Sequence, residues 1–539
     1  MLTFVSFVGF TVLVAVISYM KTRHDKMDSS DAYFLGGRSL TAWTIAGSLM
    51  LTTLSTEHLI GLNADAFNHT IAVAAWETTA ALAMVLTALY FLPKYLNSGL
   101  TTIPQFLTNR YDEKTRVIAT LLFLLSYAIA ILPVVLLFGA TGIESLFDVS
   151  ETLGLTKGEA LWLTVWGVGC LGSLYAIFGG LKAVAISDTI NGVGFLIAGL
   201  MIPILALIMI GDGDFFAGLN ELYTEEHEKF DITGNEAGSF LPFGVLFTGM
   251  IVNQVFFWCT NQSIVQRALG AKNLAEGQKG VLLAAGFKLL GPFVIVLPGV
   301  IAFHMFKDVL PAEDYLLAYP MLVKAVLPTV LTGFFAAVMI GAVLSTFNSV
   351  LNSSATLFCE GIYKVFYNRD ASGPELVKAG RITSIILALA AMTAAPLIDT
   401  SGSLYNFLQK VNATFFGPML AVILLGMMTK HVSAFAAKIG LIAGPIVFYM
   451  LVFGFGDQVQ AGLMAVFGMT DEVHFLHLLA FVFVLTVLGM LLISRFKPAE
   501  HIYVAVPVDA VDVTPWRHAK LTGVIISLIT VGFYVLLAQ

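Results

Sequence analysis

The sequence predicts an all-α polytopic membrane protein, and three observations carry that prediction. Apolar residues make up 58% of the 539-residue chain and charged residues only 12%, against roughly a quarter charged in soluble domains. Apolar runs of about 20 residues, the length of a bilayer-spanning helix, recur from one end to the other. The segments between them are too short to form a separate soluble domain. Fourteen runs qualify: 2–20, 41–62, 71–93, 117–145, 160–178, 187–211, 241–262, 280–306, 325–350, 382–398, 403–428, 434–454, 474–494 and 521–538. The whole of 1–539 is therefore expected to be one transmembrane domain in contact with lipid.

The first run has no basic leader and no small-residue cleavage site before its charges, so it is expected to remain as a helix. The second contains SLMLTTLSTEHLIG, where Thr52, Thr53, Ser55, Thr56, Glu57 and His58 crowd together. Such a stretch makes a poor lipid-facing helix, and broken backbone is tolerated in a bilayer only where protein or a water-filled cavity satisfies it. A discontinuous helix facing an interior cavity is expected. The third run buries Glu77, and the sixth carries Asp188 near its start.

The loop 212–240 holds an acidic stretch, TEEHEKFDITGNEAG, which reads as solvated. After it, run 241–262 repeats the polar interruption with Asn253, Gln254, Trp258, Asn261 and Gln262. Run 280–306 carries Lys288, about nine residues from one end and so roughly 13 Å deep at 1.5 Å per residue. An ammonium at that depth is costly in lipid, which argues for a cavity-facing role for Lys288, as for Glu77. Run 325–350 continues into GAVLSTFNSVLNSSAT, whose Ser345 and Thr346 begin a hydroxyl and amide face suited to a hard cation. Asn348 and Ser353 on that face read as helix packing. In run 403–428, Lys410 lies near an interface and can snorkel outward.

Of the 28 basic residues, Lys288 and Lys410 fall inside runs, and only Lys157, Lys229, Lys307 and Lys324 fall on one set of alternate loops. The others, Arg267 among them, fall on the opposite set, so the positive-inside rule places both termini outside. The two interrupted runs are five apart, hence antiparallel. A repeat relating them is inverted, over 41–211 and 241–428, with additional helices at 434–538. Paired interruptions of this kind mark a secondary-transport site at the bilayer midplane. Cys170, Cys259 and Cys359 form no metal-ligand or disulfide spacing, no phosphate loop is present, and no basic patch calls for nucleic acid. An enzyme is not expected.

Several segments in order carry a resemblance: DAYFLGGRSL, LSTEHLIGL, YAIFGGLKAV, FFWCTNQSIVQRALGAKN, FKLLGPFVIVLPG and LNSSATLF. Together they resemble the sodium/solute symporter family, in its bacterial sodium–sugar branch. The resemblance implies about 14 transmembrane helices, a five-plus-five inverted repeat of the leucine-transporter-like fold, an inner-membrane location with periplasmic termini, and sodium-driven sugar uptake by alternating access. It implies a co-transported sodium ion held by the carbonyls of Leu51, Leu54 and Ala342 and the hydroxyls of Ser345 and Thr346, with Asp188 on the release path. For the sugar it implies His58, Trp76, Glu77, Ala80, Gln254, Trp258, Lys288 and Gln409, with Phe257 as a gate. His58, Gln254 and Ala80 replace a glutamine, an asparagine and a serine of the galactose-transporting relatives, and Phe257 replaces a tyrosine. The alternative substrate is an anion such as a sialic acid or monocarboxylate, with Lys288 as counter-charge. Proton coupling through His58 and Glu77 is a third reading.

Overall fold

Every regular element in the computed structural model of the chain is helical, over residues 2–23, 29–55, 57–233, 240–398, 403–467, 472–500, 508 and 511–537, which are those it describes. Ten helices among them are long and apolar enough to cross a bilayer, and an eleventh crossing is a bent pair, Leu274–Lys288 with Pro292–Phe306. The other three of the fourteen predicted runs are divided or joined. Run 41–62 is cut into Ala42–Thr53 and the π-helical turn Glu57–Leu62. Run 241–262 yields Gly249–Cys259 and the start of Gln262–Leu269. Run 160–178 shares the helix Lys157–Ile210 with run 187–211, across a kink at Gly180. There φ is +58°, and a Cβ would lie 2.9 Å from the Tyr33 carbonyl oxygen, so only glycine fits the bend.

The Lys157–Ile210 helix packs along Thr329–Phe358 and Ala42–Thr53, and Leu274–Lys288 packs on Ala42–Thr53 as well. Outward faces of Leu2–Thr22, Phe475–Phe496 and Ala519–Leu537 expose leucine, valine and phenylalanine, as a lipid solvent requires.

Both interrupted helices break where polar residues can take over the backbone. Ala42–Thr53 ends with the Leu54 N–H on the Met50 carbonyl at 2.7 Å. The N–H groups of His58 and Leu59 both go to the Ser55 carbonyl, at 3.0 Å each, and among the described residues the hydrogen bonds of the break bypass the Leu51 and Leu54 carbonyls. Thr56 lies outside the described residues. In the second break, Thr260 and Asn261 both donate to Phe256 at 2.9 Å, and the Asn261 side chain caps the next helix by accepting from the Ser263 N–H. An isolated parallel bridge ties the approach to one broken segment to the exit from the other: Leu40 donates to Gly270, and Lys272 donates to Leu40, each at 3.0 Å.

A third break, unforeseen in run 280–306, bends the chain by 42° directly after Lys288. Pro292 opens the second half, where its missing N–H costs no helical bond.

The acidic loop is not simply solvated. Glu226 is buried and accepts from Lys307 Nζ at 2.5 Å, with His304 Nδ1 at 3.2 Å. Lys229 Nζ donates to the carbonyls of Phe67 and His69, each at 2.7 Å. Those carbonyls are left open where the helix Asn63–Asn68 stops, and a lysine is a natural cap for such an end. Residues 234–239 of the loop lie outside the described residues.

A cavity at the helix breaks

The two breaks and the end of the helix Leu274–Lys288 line one cavity, and Lys288 is on its wall. Its ammonium donates to Glu77 Oε2 at 2.7 Å and to the Thr53 carbonyl, at the end of the first broken helix, at 3.1 Å. It also lies 5.6 Å from the centroid of the Trp258 ring.

Helix geometry explains how two buried charges are held there. Glu77 is in the first turn of Ala75–Leu86 and Lys288 in the last turn of Leu274–Lys288. Each charge faces the helix end whose dipole favours it. The bend brings the backbone of Gly291 against Glu77: a Cβ there would lie 2.7 Å from Oε2 and 3.0 Å from the Glu77 Cβ and Cγ. Any larger residue would push the carboxylate away.

His58 sits beside this pair, with Nε2 3.5 Å from Glu77 Oε1. The Tyr405 hydroxyl is likewise 3.5 Å from His58 Nε2, and the Tyr405 ring stands edge-on to His58 and to Trp76, with centroids 5.5 and 5.8 Å apart. Sequence reasoning missed Tyr405. An aromatic in an apolar helix carries no signal that separates a cavity wall from a core.

Gln254 ties the Trp76 backbone to the Trp258 indole: its Nε2 donates to the Trp76 carbonyl at 2.8 Å, and its Oε1 accepts from Trp258 Nε1 at 3.1 Å. Ala80, Phe257 and Gln409 are also on the wall, whereas Glu77 is wholly buried behind it, next to Lys288. Phe257 is half-buried and stands edge-on to Trp258 at 5.5 Å. Lys410 is half-buried one residue beyond Gln409 and is not on the wall.

The predicted cation ligands converge on the first break. Thr346 Oγ1 donates to the Thr52 carbonyl at 3.0 Å and approaches the Ala342 carbonyl at 3.4 Å. Thr52 Oγ1 lies 3.2 Å from Ser345 Oγ and 3.3 Å from Ser349 Oγ. With the bypassed carbonyls of Leu51 and Leu54, these are neutral oxygen donors, the set a hard cation prefers. Ser353 donates to Gln266 Oε1 at 2.7 Å, a helix-packing bond.

Asp188 is buried and accepts from Ser48 Oγ at 2.6 Å. With Ser345 and Asn348 it lines a second, smaller cavity. Arg267, predicted to lie on a loop, is instead wholly buried: its guanidinium stands 3.8 Å from Asp188 and bonds Ser48 Oγ at 2.7 Å, the Ser263 carbonyl and Ser349 Oγ. After the break at Thr260 a new helix, Gln262–Leu269, begins, and every one of its residues is buried against its neighbours.

Comparison with known proteins agrees with this geometry. The family model described as the sodium:solute symporter family matches residues 33–444. The chain belongs to the sodium:solute symporter family. It is 43% identical over 543 residues to the uncharacterized symporter YidK of Escherichia coli (strain K12), covering all of this chain and 91% of that one. It is 30% identical over 466 residues to the sodium/glucose cotransporter of Vibrio parahaemolyticus, covering 82% and 84% of the two chains. In structure it is similar to a sodium-coupled sialic acid symporter in a substrate-bound outward-open state, with TM-score 0.74, 19% identity and coverage of 94% and 99%. That likeness establishes the fold. As a member of the sodium:solute symporter family, this multi-pass membrane protein is a transporter rather than an enzyme, and sodium is its co-transported ion.

Proposed function

We propose that this symporter couples sodium entry to uptake of a sugar by alternating access, through the cavity lined by His58, Trp76, Gln254, Trp258, Lys288 and Gln409, with Glu77 behind Lys288 as part of the same substrate site. The observation that carries the reading is the Lys288–Glu77 pair at 2.7 Å. Because Glu77 already neutralises Lys288, a solute carboxylate would meet no free positive charge and would be repelled by the glutamate. A neutral polyhydroxylated solute fits better: its hydroxyls both donate and accept, and its C–H faces suit Trp76, Trp258 and Tyr405.

Sodium is taken by the carbonyls of Leu51, Leu54 and Ala342 and the hydroxyls of Ser345 and Thr346, with Asp188 on its way out. Because Thr346 bonds the backbone at the break, an ion there would fix the segment that presents Thr53 and His58 to the solute. Binding of one would then favour the other, which is the coupling a symporter needs. Phe257 acts as an aromatic lid on the inner side. The same reading gives fourteen crossings, inverted repeats at 41–211 and 241–428, additional helices at 434–538, and a place in a bacterial inner membrane with both termini periplasmic.

The test is uptake into proteoliposomes of radiolabelled hexoses, inositol and sialic acid, with and without an inward sodium gradient. Sodium-dependent, saturable uptake of a neutral sugar is expected; uptake confined to sialic acid would refute the sugar assignment.

A further inference from the structure

Glu57 has no role in the binding set assigned above. It lies on the π-helical turn directly after the first break and lines the same cavity as Lys288 and Trp76. Its exposure is only 6%, yet its Oε2 is shielded from solvent with no hydrogen-bond partner among the described residues. The carboxylate takes hydrogen bonds from the Ser55 hydroxyl and its own N–H, and His58 Nδ1, 3.9 Å from Oε1, is beyond hydrogen-bond reach.

Two further acceptors beside the cavity share this condition: Glu77 Oε1 and Asn253 Oδ1, both buried without a hydrogen bond among the described residues. The donors are placed differently. Lys288 is occupied by Glu77 and Thr53, the Gln254 amide by Trp76 and Thr79, and the Trp258 indole by Gln254. The site therefore has acceptors to spare, while most of its donors from Lys288, Gln254 and Trp258 are already engaged. Buried acceptors are seldom left unsatisfied in a native structure, and a buried carboxylate least of all.

We infer that Glu57 is a second substrate-binding carboxylate, which with Asn253 receives hydroxyl donors from the solute and, with the charge of Glu77 behind the wall, selects against anionic ones. The inference rests on the sugar reading above and adds a residue and a selection rule to it. A solute that presents several hydroxyls on one side satisfies the waiting oxygens. A carboxylate in the same place meets two glutamates against a single lysine.

The experiment uses the full-length protein purified in detergent with sodium, and measures binding of glucose, galactose, myo-inositol, glucosamine and N-acetylneuraminate to wild type, Glu57→Gln and Glu57→Asp. Sodium-induced thermal stabilisation serves as the control for a folded transporter. The expected result is wild-type binding of a neutral polyol, weakened about tenfold or more in Glu57→Gln, as loss of a charge-assisted hydrogen bond implies, with the sodium response kept. Glu57→Asp, which retains the charge but withdraws it by one methylene, covers the case in which the glutamine variant does not fold, and a loss of similar direction is expected. Neutral-polyol binding in both variants within twofold of wild type overturns the role of Glu57 and leaves the sugar reading standing. Wild-type binding of N-acetylneuraminate alone overturns the selection rule and the sugar reading with it, and binding of glucosamine alone overturns the assignment of the waiting oxygens to neutral hydroxyl donors.

Discussion

A single pair of side chains determines the character of the site. Glu77 and Lys288 are both buried, and each is the other's counter-charge at 2.7 Å. Truncating one leaves the other as an unpaired buried charge, a loss of about 3–5 kcal/mol in comparable pairs. Lys288→Met should therefore lower thermal stability in detergent and abolish solute binding, and the double variant Glu77→Gln/Lys288→Met should recover stability without recovering binding. Equal stability of the single and double variants would show that the pair does not carry this coupling. The hydroxyls of Ser345 and Thr346 make a second, separable prediction. Replacing both with alanine should raise the sodium concentration for half-maximal uptake roughly 30-fold, taking roughly 1 kcal/mol for each lost polar contact. Unchanged sodium activation would remove these residues from the cation site.

The elements of the site are breaks in helices, and the three breaks differ in how far they can be read from sequence. Those at Leu54 and Thr260 announce themselves as clusters of polar residues in otherwise apolar runs, because lipid penalises such clusters unless a cavity receives them. The bend after Lys288 has no polar cluster, only Gly291 and Pro292 inside a long apolar run, and so passes for an ordinary span. Lys288 and Glu77 are each legible as buried charges, but their pairing is not: they are far apart in sequence, and only the fold brings the two helix ends together. Arg267 reads as a loop residue because the short helix that carries it, Gln262–Leu269, is too polar to pass for a span, although it is wholly buried. The acidic loop was misread because its composition is that of a solvated segment, whereas Glu226 and Lys229 find partners on neighbouring helices. Gly291→Ala tests the bend itself. A methyl group would stand 2.7 Å from Glu77 Oε2, so solute affinity should fall about tenfold, the scale of one disturbed charge-assisted hydrogen bond. Sodium activation should be unchanged, and unaltered solute affinity in binding assays would mean that Glu77 need not occupy this position.

At the scale of the whole molecule, the broken helices, the Leu40–Ala271 bridge and the cavity unite the two proposed repeats around a common centre. If one sodium accompanies one neutral solute, each cycle moves a net positive charge, and the membrane potential should drive uptake by about 2.3 kcal/mol per 100 mV. Imposing a negative-inside potassium diffusion potential on proteoliposomes should accelerate uptake, and a rate indifferent to that potential would contradict the charge balance. The arrangement of two broken helices around one chamber also demands that sodium and solute depend on each other, which a channel or a passive binding protein does not. Sodium-dependent counterflow measures that dependence directly: proteoliposomes loaded with unlabelled neutral sugar, diluted into a trace of the labelled sugar with equal sodium on both sides. The account predicts transient, saturable accumulation that requires sodium and disappears in Lys288→Ala. Accumulation that is indifferent to sodium, or that survives loss of Lys288, would contradict it.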